Sequence, residues 1–496
     1  MSNTGVGDTV SYEGSTAGVV VTINGGAAVN TGGDAAGDSL FQIENLTGSD
    51  HADTLTGDEL ANVLTGGLGD DTLVGGLGSD TATFALARSA YTITRTGADT
   101  ATVRDNVSGE TDTISGMEFL RFSDRTQSFA SAAPFPPTEG DDVLTGTEDP
   151  DTIDALGGDD TVNGLGGADT LNGGAGNDTL QGGAGADTLT GGGNTGAGDT
   201  ASYAGSTTGV TVTVNGGAAA NSGGDAAGDI LREIENLTGS NLNDALTGDA
   251  GINRLDGRDG DDVLTGGAGA DILVGGNNTV FGDTASHAAS SEGVSVNVNA
   301  ELFNTGGDAE GDQLRGIENL IGSTHSDFLV GDAGANRLTG GGGSDVLIGR
   351  DGNDILDAAG DNVGDTLEGG LGDDVYIVDG GDSVQENQGG GADEVRTSAA
   401  SYTLGDNVEN LTGTGFSQTL TGNALTNRIT GGSGNDIFIG TDGADTLIGG
   451  LGSDTVNYST ATSAVIAGVH GANSLGQTLS GIENLIGGSA DRRATS

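Results

Sequence analysis

Between Asp142 and Asp187 an aspartate recurs at every ninth position: Asp142, Asp151, Asp160, Asp169, Asp178 and Asp187. Two residues after each stands one large apolar side chain, Leu144, Ile153, Val162, Leu171, Leu180 or Leu189. The intervening turns are mostly glycine, as in Gly173-Gly174-Ala175-Gly176 before Asp178 and Gly182-Gly183-Ala184-Gly185 before Asp187. Such turns use positive φ angles, which only glycine adopts cheaply. The three residues around each apolar position suffice for one short strand with a single side chain turned inward. A six-residue turn and a three-residue strand carry the chain half way round. Two units therefore close one coil, and two short parallel sheets face each other.

Residues eighteen apart then stack, Asp142 over Asp160 over Asp178 and Asp151 over Asp169 over Asp187, roughly 4.8 Å apart. At that spacing two bare carboxylates repel by about 1 kcal/mol in water and by roughly 3 to 4 at an effective dielectric near 20. The column calls for a cation between its members. A hard oxygen donor set without His or Cys favours Ca²⁺ or Mg²⁺, and flexible turns that add carbonyls to carboxylates suit calcium's six to eight ligands better than magnesium's rigid octahedron. One apolar side chain per nine residues is a thin core, so folding is expected to be coupled to calcium binding.

The unit reads G-G-x-G-x-D-x-U-x, with U a large apolar residue. Six consecutive copies in phase closely resemble the hemolysin-type repeats of the RTX (repeats-in-toxin) family. The resemblance implies an all-β chain of parallel β-roll (β-helix or solenoid) blocks that bind calcium, here joined by diverged β-rich spacer modules. It also implies a secreted, extracellular bacterial protein that leaves by type I secretion from a C-terminal signal.

Further blocks follow the same spacing. The first, 53–83, carries Asp53, Asn62, Asp71 and Asp80, with Leu55, Leu64 and Leu73 inward; the block at 140–195 is the second. The third, 244–276, carries Asp244, Asn253, Asp262 and Asp271. The fourth, 327–374, carries Asp327, Asn336, Asp345 and Asp354, then slips by two residues before Asp365 and Asp374. The fifth, 418–456, carries Asn427, Asp436, Asp445 and Asp454. The metal ligands expected outside the second block are Asp53, Asp71, Asp80, Asp262, Asp271, Asp345, Asp354, Asp365, Asp374, Asp436, Asp445 and Asp454; within it, all six aspartates are. Asn62, Asn253, Asn336 and Asn427 stand at the aspartate position. An amide has no charge, and Arg254, Arg337 and Arg428 follow three of them. These turns are expected to be weak or empty.

Between the blocks lie the spacers. Residues 1–52, 196–243 and 277–326 share one pattern: an opening such as Asp199-Thr200-Ala201-Ser202-Tyr203, a run such as Val210-Thr211-Val212-Thr213-Val214, and the tetrapeptide Ile234-Glu235-Asn236-Leu237. The tetrapeptides are expected to be structural, with apolar ends inward and Glu solvated or capping. Residues 84–127 form a β-rich closing segment, 375–417 a second type of spacer and 457–496 a partial spacer. Segment 128–139, with Pro134, Pro136 and Pro137, is a Pro-rich linker. The last module stops at Asp491-Arg492-Arg493-Ala494-Thr495-Ser496 where earlier copies begin a block, so the terminus reads as truncated relative to its own repeat. That is a departure from the family's C-terminal export signal.

The net charge of −58, from 73 acidic and 15 basic residues, all of them arginine, argues against nucleic acid and anionic membranes as partners. The absence of lysine excludes Walker and Schiff-base chemistry, and the absence of cysteine excludes disulfides and thiol catalysis. The polar start, Met1-Ser2-Asn3-Thr4-Gly5, has no Sec leader pattern, and no stretch is apolar enough to span a membrane. His51 and His325 read as solvated loop residues. There is no His-Glu-x-x-His or Gly-x-Ser-x-Gly, so no enzyme is expected. The expected partners are calcium ions and a cell-surface polysaccharide or surface protein, with a structural or adhesive role. Two alternatives stand beside this one: a secreted carbohydrate-acting enzyme or accessory module with its site on the solenoid surface, and a truncated fragment of a larger RTX protein.

Overall fold

The computed structural model describes residues 7–23, 30–97, 99–129, 137–217, 220–298, 304–439, 443–460, 465 and 467–487. The polar start, the tract holding Pro134 and Pro136, and the terminal run from Asp491 lie outside the described residues. The chain forms two compact units, residues 1–196 and 197–496.

Strand pairing follows the eighteen-residue coil. In the second block Val143–Thr145, Thr161–Asn163 and Thr179–Gln181 pair in parallel, with Leu144 beside Val162 and Val162 beside Leu180. The alternate strands Thr152–Asp154, Thr170–Ala175 and Thr188–Gly193 form the opposing ladder, with Ile153 beside Leu171 and Leu171 beside Leu189. Each strand is short because only its central side chain enters the coil. Val162, Leu171, Leu180 and Leu189 are fully buried, and Ile153, in the opening coil, is only partly so. The fold is all-β, with parallel strands coiled as the nine-residue period requires.

The spacers are enlarged coils of the same solenoid. In the first unit Thr9–Ser11 pairs in parallel with Asn45–Thr47, thirty-six residues on, and Val20–Thr22 pairs with Thr54–Thr56. In the second unit a 14-stranded sheet runs from Thr211–Thr213 to Gly471–Ala472, and shorter ladders alternate with it along the chain. The slip before Asp365 is absorbed in the turn, so that Val346 pairs with Thr366 and Ile355 with Val375.

The closing segment breaks the parallel rule. Tyr91–Arg95, Thr100–Asp105 and Thr111–Ser115 form an antiparallel meander, whose last strand joins Thr72–Val74 in parallel. Phe119–Arg121 and Thr126–Ser128 form a hairpin on the other ladder. Phe84, Tyr91 and Phe122 pack together with ring centroids 5.3 to 5.6 Å apart. This aromatic cluster fills a coil end that a leucine ladder would leave open.

One glycine shows why the turns are so restricted. Gly174 has φ +105°, and a Cβ there would strike the Leu156 carbonyl of the preceding coil. Where the same turn position carries Leu156, Leu165, Arg258 or Arg350, the backbone still takes a positive φ of 74° to 86°. Stacking imposes this conformation whichever residue is present, at a cost of roughly 1 to 2 kcal/mol for a non-glycine.

Candidate metal centre

The columns assemble as the spacing requires, with a hydrogen-bond pattern the spacing does not show. Within a column an aspartate uses Oδ1 to accept a backbone N–H from one coil earlier, that of an aspartate in most cases and of Asn62, Asn253, Asn336, Gln418 or Asn427 for Asp80, Asp271, Asp354, Asp436 and Asp445. Asp160 accepts from Asp142 (2.7 Å), Asp178 from Asp160 (2.8 Å), Asp169 from Asp151 (2.8 Å) and Asp187 from Asp169 (2.8 Å). Asp71 takes the Asp53 amide, Asp262 that of Asp244, Asp345 that of Asp327, and Asp454 that of Asp436. Apart from Asp142 and Asp151, every aspartate expected to hold metal is buried.

The second oxygen divides them into two kinds. Asp53 sets Oδ2 against the Ser49 amide (2.5 Å) and also meets the Ser49 hydroxyl. Asp142 and Asp151 do the same with Thr138 and Thr147, and Asp244 and Asp327 with Ser240 and Ser323. In these opening repeats a Ser or Thr four residues before the aspartate supplies the donor. In Asp71, Asp80, Asp160, Asp169, Asp262, Asp271, Asp354, Asp374, Asp436 and Asp454 the second oxygen is buried with no hydrogen-bond donor. Near Asp169 and Asp354 it also faces a carbonyl, of Gly182 and of Gly369, across a gap that only a glycine, Gly164 or Gly349, leaves free. Asp445 differs: Gln477 Nε2 donates to its Oδ2 at 3.0 Å.

A buried anionic oxygen with no donor needs a proton or a cation. Burial, reinforced by neighbouring carboxylates and opposed by the amide each accepts, pushes Asp71, Asp262, Asp354 and Asp365 up to about 7 and Asp169, Asp271 and Asp345 to about 6. Asp80, Asp160, Asp374, Asp436 and Asp454 move the same way. The all-oxygen donor set, carboxylates beside turn carbonyls, fits a calcium ion, which would supply the charge these groups lack.

The asparagine turns are self-sufficient. Asn62 Oδ1 accepts the Asp58 amide and its Nδ2 donates to the Glu44 carbonyl at 3.0 Å. Asn253 and Asn336 repeat this with the Glu235 and Glu318 carbonyls, at 2.8 and 2.9 Å, and Asn427 donates to the Val408 carbonyl at 3.1 Å. Arg254 and Arg337 point away from these turns and pair with Asp256 (2.9 Å) and Asp357 (2.6 Å). The neutrality of the turns therefore comes from the amide.

The tetrapeptide glutamate stands at the aspartate position of an enlarged coil. Glu44, Glu235, Glu318, Glu409 and Glu483 each accept the backbone N–H of the aspartate one coil earlier, at 2.7 to 3.0 Å. Of the two roles expected for this glutamate, it caps. Its two-residue lead over the leucine was the available signal. Asp283, Asp312 and Asp393 also bury an oxygen without a donor, and the nine-residue count missed them because their coils carry insertions. A second, outer ladder precedes the columns: Asp141 accepts the Asp159 amide and Asp159 that of Asn177. His51 and His325 are exposed.

Six stretches, residues 47–82, 138–171, 164–195, 238–273, 321–356 and 421–456, match the family described as RTX calcium-binding nonapeptide repeat. No curated protein matches the chain. Among solved structures, the extracellular lipase LipA from Serratia marcescens is similar at 17% identity and a TM-score of 0.13, over 47% of this chain and 34% of the lipase. The chain thus spans about a third of that enzyme's length.

Proposed function

From a chain that carries RTX calcium-binding nonapeptide repeats along its length, we propose a secreted, non-enzymatic protein whose coils order on extracellular calcium and which serves a structural or adhesive role at the cell surface. The observation that carries this reading is the set of buried aspartate oxygens without a donor, repeated coil after coil. Low calcium before export would leave these carboxylates repelling one another and the chain open. Calcium in the range typical of extracellular modules, with dissociation constants of roughly 10⁻⁴ to 10⁻³ M, would close it. Among the described residues no helix is long and apolar enough to cross a membrane.

The aspartates are not equivalent under this reading. Asp160, Asp169, Asp262 and Asp354 are strong ligands because nothing else serves their second oxygen. Asp53, Asp142 and Asp151 already hold a Ser or Thr donor and contribute less. Circular dichroism during a calcium titration, reversed by EGTA and with magnesium as control, tests the proposal. Coil without metal, β-sheet with calcium and little response to magnesium are expected. Asp160→Ala, Asp169→Ala and Asp178→Ala together should raise the calcium midpoint. A folded, cooperative chain after exhaustive chelation at neutral pH would end the proposal.

A further inference from the structure

A second kind of site lies where the fourth block ends and the following spacer begins, outside all six matched stretches. Asp374 precedes strand Val375–Val378 and Asp393 precedes Glu394–Thr397; the two strands pair in parallel, Val375 beside Glu394. Between them Ser383–Gln385 joins the opposing ladder beside Thr366–Leu371. Glu386 follows that strand directly. Three carboxylates from one twenty-residue stretch therefore converge, and one oxygen from each lies within 4.8 Å of the others. Two ligands of a single calcium, each roughly 2.4 Å from it, are at most about that far apart.

The position of each group is fixed by protein donors. Asp374 Oδ1 accepts the Asp354 amide (2.8 Å) and Asp393 Oδ1 the Asp374 amide (2.9 Å). The remaining oxygen of each is buried without a donor, in residues only 1% and 0% exposed. Tyr376 occupies the inward apolar position, beside Leu356, and is fully buried. Its hydroxyl accepts the Gly369 amide at 2.8 Å and donates to Glu386 Oε1 in a short contact. Glu386 Oε2 accepts the Asn387 amide at 3.1 Å. A Cβ at Gly369 would meet both Asp374 Oδ2 and the Tyr376 hydroxyl, so the bare Asp374 oxygen lies beside the Tyr376–Glu386 pair. Burial and the neighbouring carboxylates raise Glu386 to about 7 and Asp393 to about 6.

We propose that Asp374, Glu386 and Asp393 bind one calcium ion in a site at the block–spacer boundary that is built differently from the nonapeptide columns. A column coil offers one bare carboxylate oxygen. This site gathers three carboxylates, held by a tyrosine that replaces the usual aliphatic residue. Greater ligand charge on a fixed frame makes it the tighter class of site. The proposal stands on these residues and does not depend on whether the columns bind.

The test uses the full chain with calcium and with Tb³⁺ as a luminescent substitute, since Tyr376 adjoins the site and the chain has no Trp. The first equivalent of Tb³⁺ should give tyrosine-sensitised emission that calcium displaces and magnesium does not. Glu386→Gln should abolish that first phase, remove one ion from the calcium count and leave the later, column-driven ellipticity change in place. Glu386→Asp keeps the charge but withdraws the oxygen by one carbon. It should weaken the first calcium step by about tenfold or more, with wild-type ellipticity at saturating calcium. An unchanged first step in Glu386→Asp, or an unchanged ion count in Glu386→Gln, overturns the proposal. The triple variant of Asp160, Asp169 and Asp178 should keep the first step, which separates this site from the columns.

Discussion

Asp169→Asn should change sign with calcium. Asp169 Oδ1 caps the Asp151 amide at 2.8 Å, and a carboxamide oxygen can keep that bond. Its Oδ2 is buried without a donor, close to the Gly182 carbonyl. An amide nitrogen placed there gains that carbonyl as an acceptor, the opposite orientation to Asn62, Asn253 and Asn336, whose Oδ1 takes this place and whose Nδ2 donates to a carbonyl one coil earlier. Leaving a buried polar group unserved costs about 1 to 3 kcal/mol, and more when it is charged. Without calcium, therefore, the variant should be more stable around this coil by about 1 to 3 kcal/mol. With calcium near a hundred times the dissociation constant, each bound ion adds about 2.7 kcal/mol, and a neutral ligand forfeits much of it. Hydrogen exchange at the Asp151 amide, which reports local opening, should slow in EGTA and quicken in calcium relative to wild type. Asp244→Asn is the comparator. Asp244 accepts the Val210 amide on Oδ1 and the Ser240 amide on Oδ2, at 2.7 and 2.6 Å. One donor must lose its partner, so this variant should be weaker in both media by about 1 to 3 kcal/mol. A shift in the same direction in both media for Asp169→Asn would refute the claim that its second oxygen awaits a cation.

Proton linkage gives an independent check. Folded-state values raised from the ordinary 3.8 to about 6 or 7 mean that the calcium-free fold binds protons more tightly than the open chain. Its stability is then fullest below pH 4 and falls as pH rises through about 4 to 7. Without calcium, acidification across that window should increase β-sheet ellipticity; with calcium the dependence should reverse, and binding near pH 6 should release protons measurable in weakly buffered solution. Leu171→Ala, at a fully buried position, should lower calcium-saturated stability by about 2 to 5 kcal/mol in urea melts. Gly174→Ala should cost at least about 1 to 2 kcal/mol from its positive φ, and more because the methyl group meets the Leu156 carbonyl; its calcium midpoint should rise accordingly.

Much of the architecture follows from two features of the primary structure, the nine-residue interval and the single inward side chain. Together they dictate the coil, the parallel pairing and the stacking of Asp160 over Asp142. What they do not carry is the second coordination of each carboxylate. That depends on whether a Ser or Thr stands four residues earlier, as at Ser49 and Ser240, a cue that becomes readable only once the turn geometry is known. The site around Glu386 was hidden for another reason. Its three acids are twelve and seven residues apart, off the nine-residue count, and only the enlarged coil brings them together. Tyr376 reads in sequence as an inward core residue, and its hydroxyl's role appears only when Glu386 is seen beneath it.

The capping of each aspartate amide by the carboxylate of the following coil gives the solenoid a direction. In these inner columns a turn is finished by its successor. Trimming from the N-terminal side exposes an oxygen that solvent can serve. Trimming from the C-terminal side instead strips the lid from an interior N–H, and the loss passes back to the turn before it. Ordering should therefore be secured from the downstream end of each stack. There Glu235, Glu318, Glu409 or Glu483 acts as the keystone for the aspartate above it.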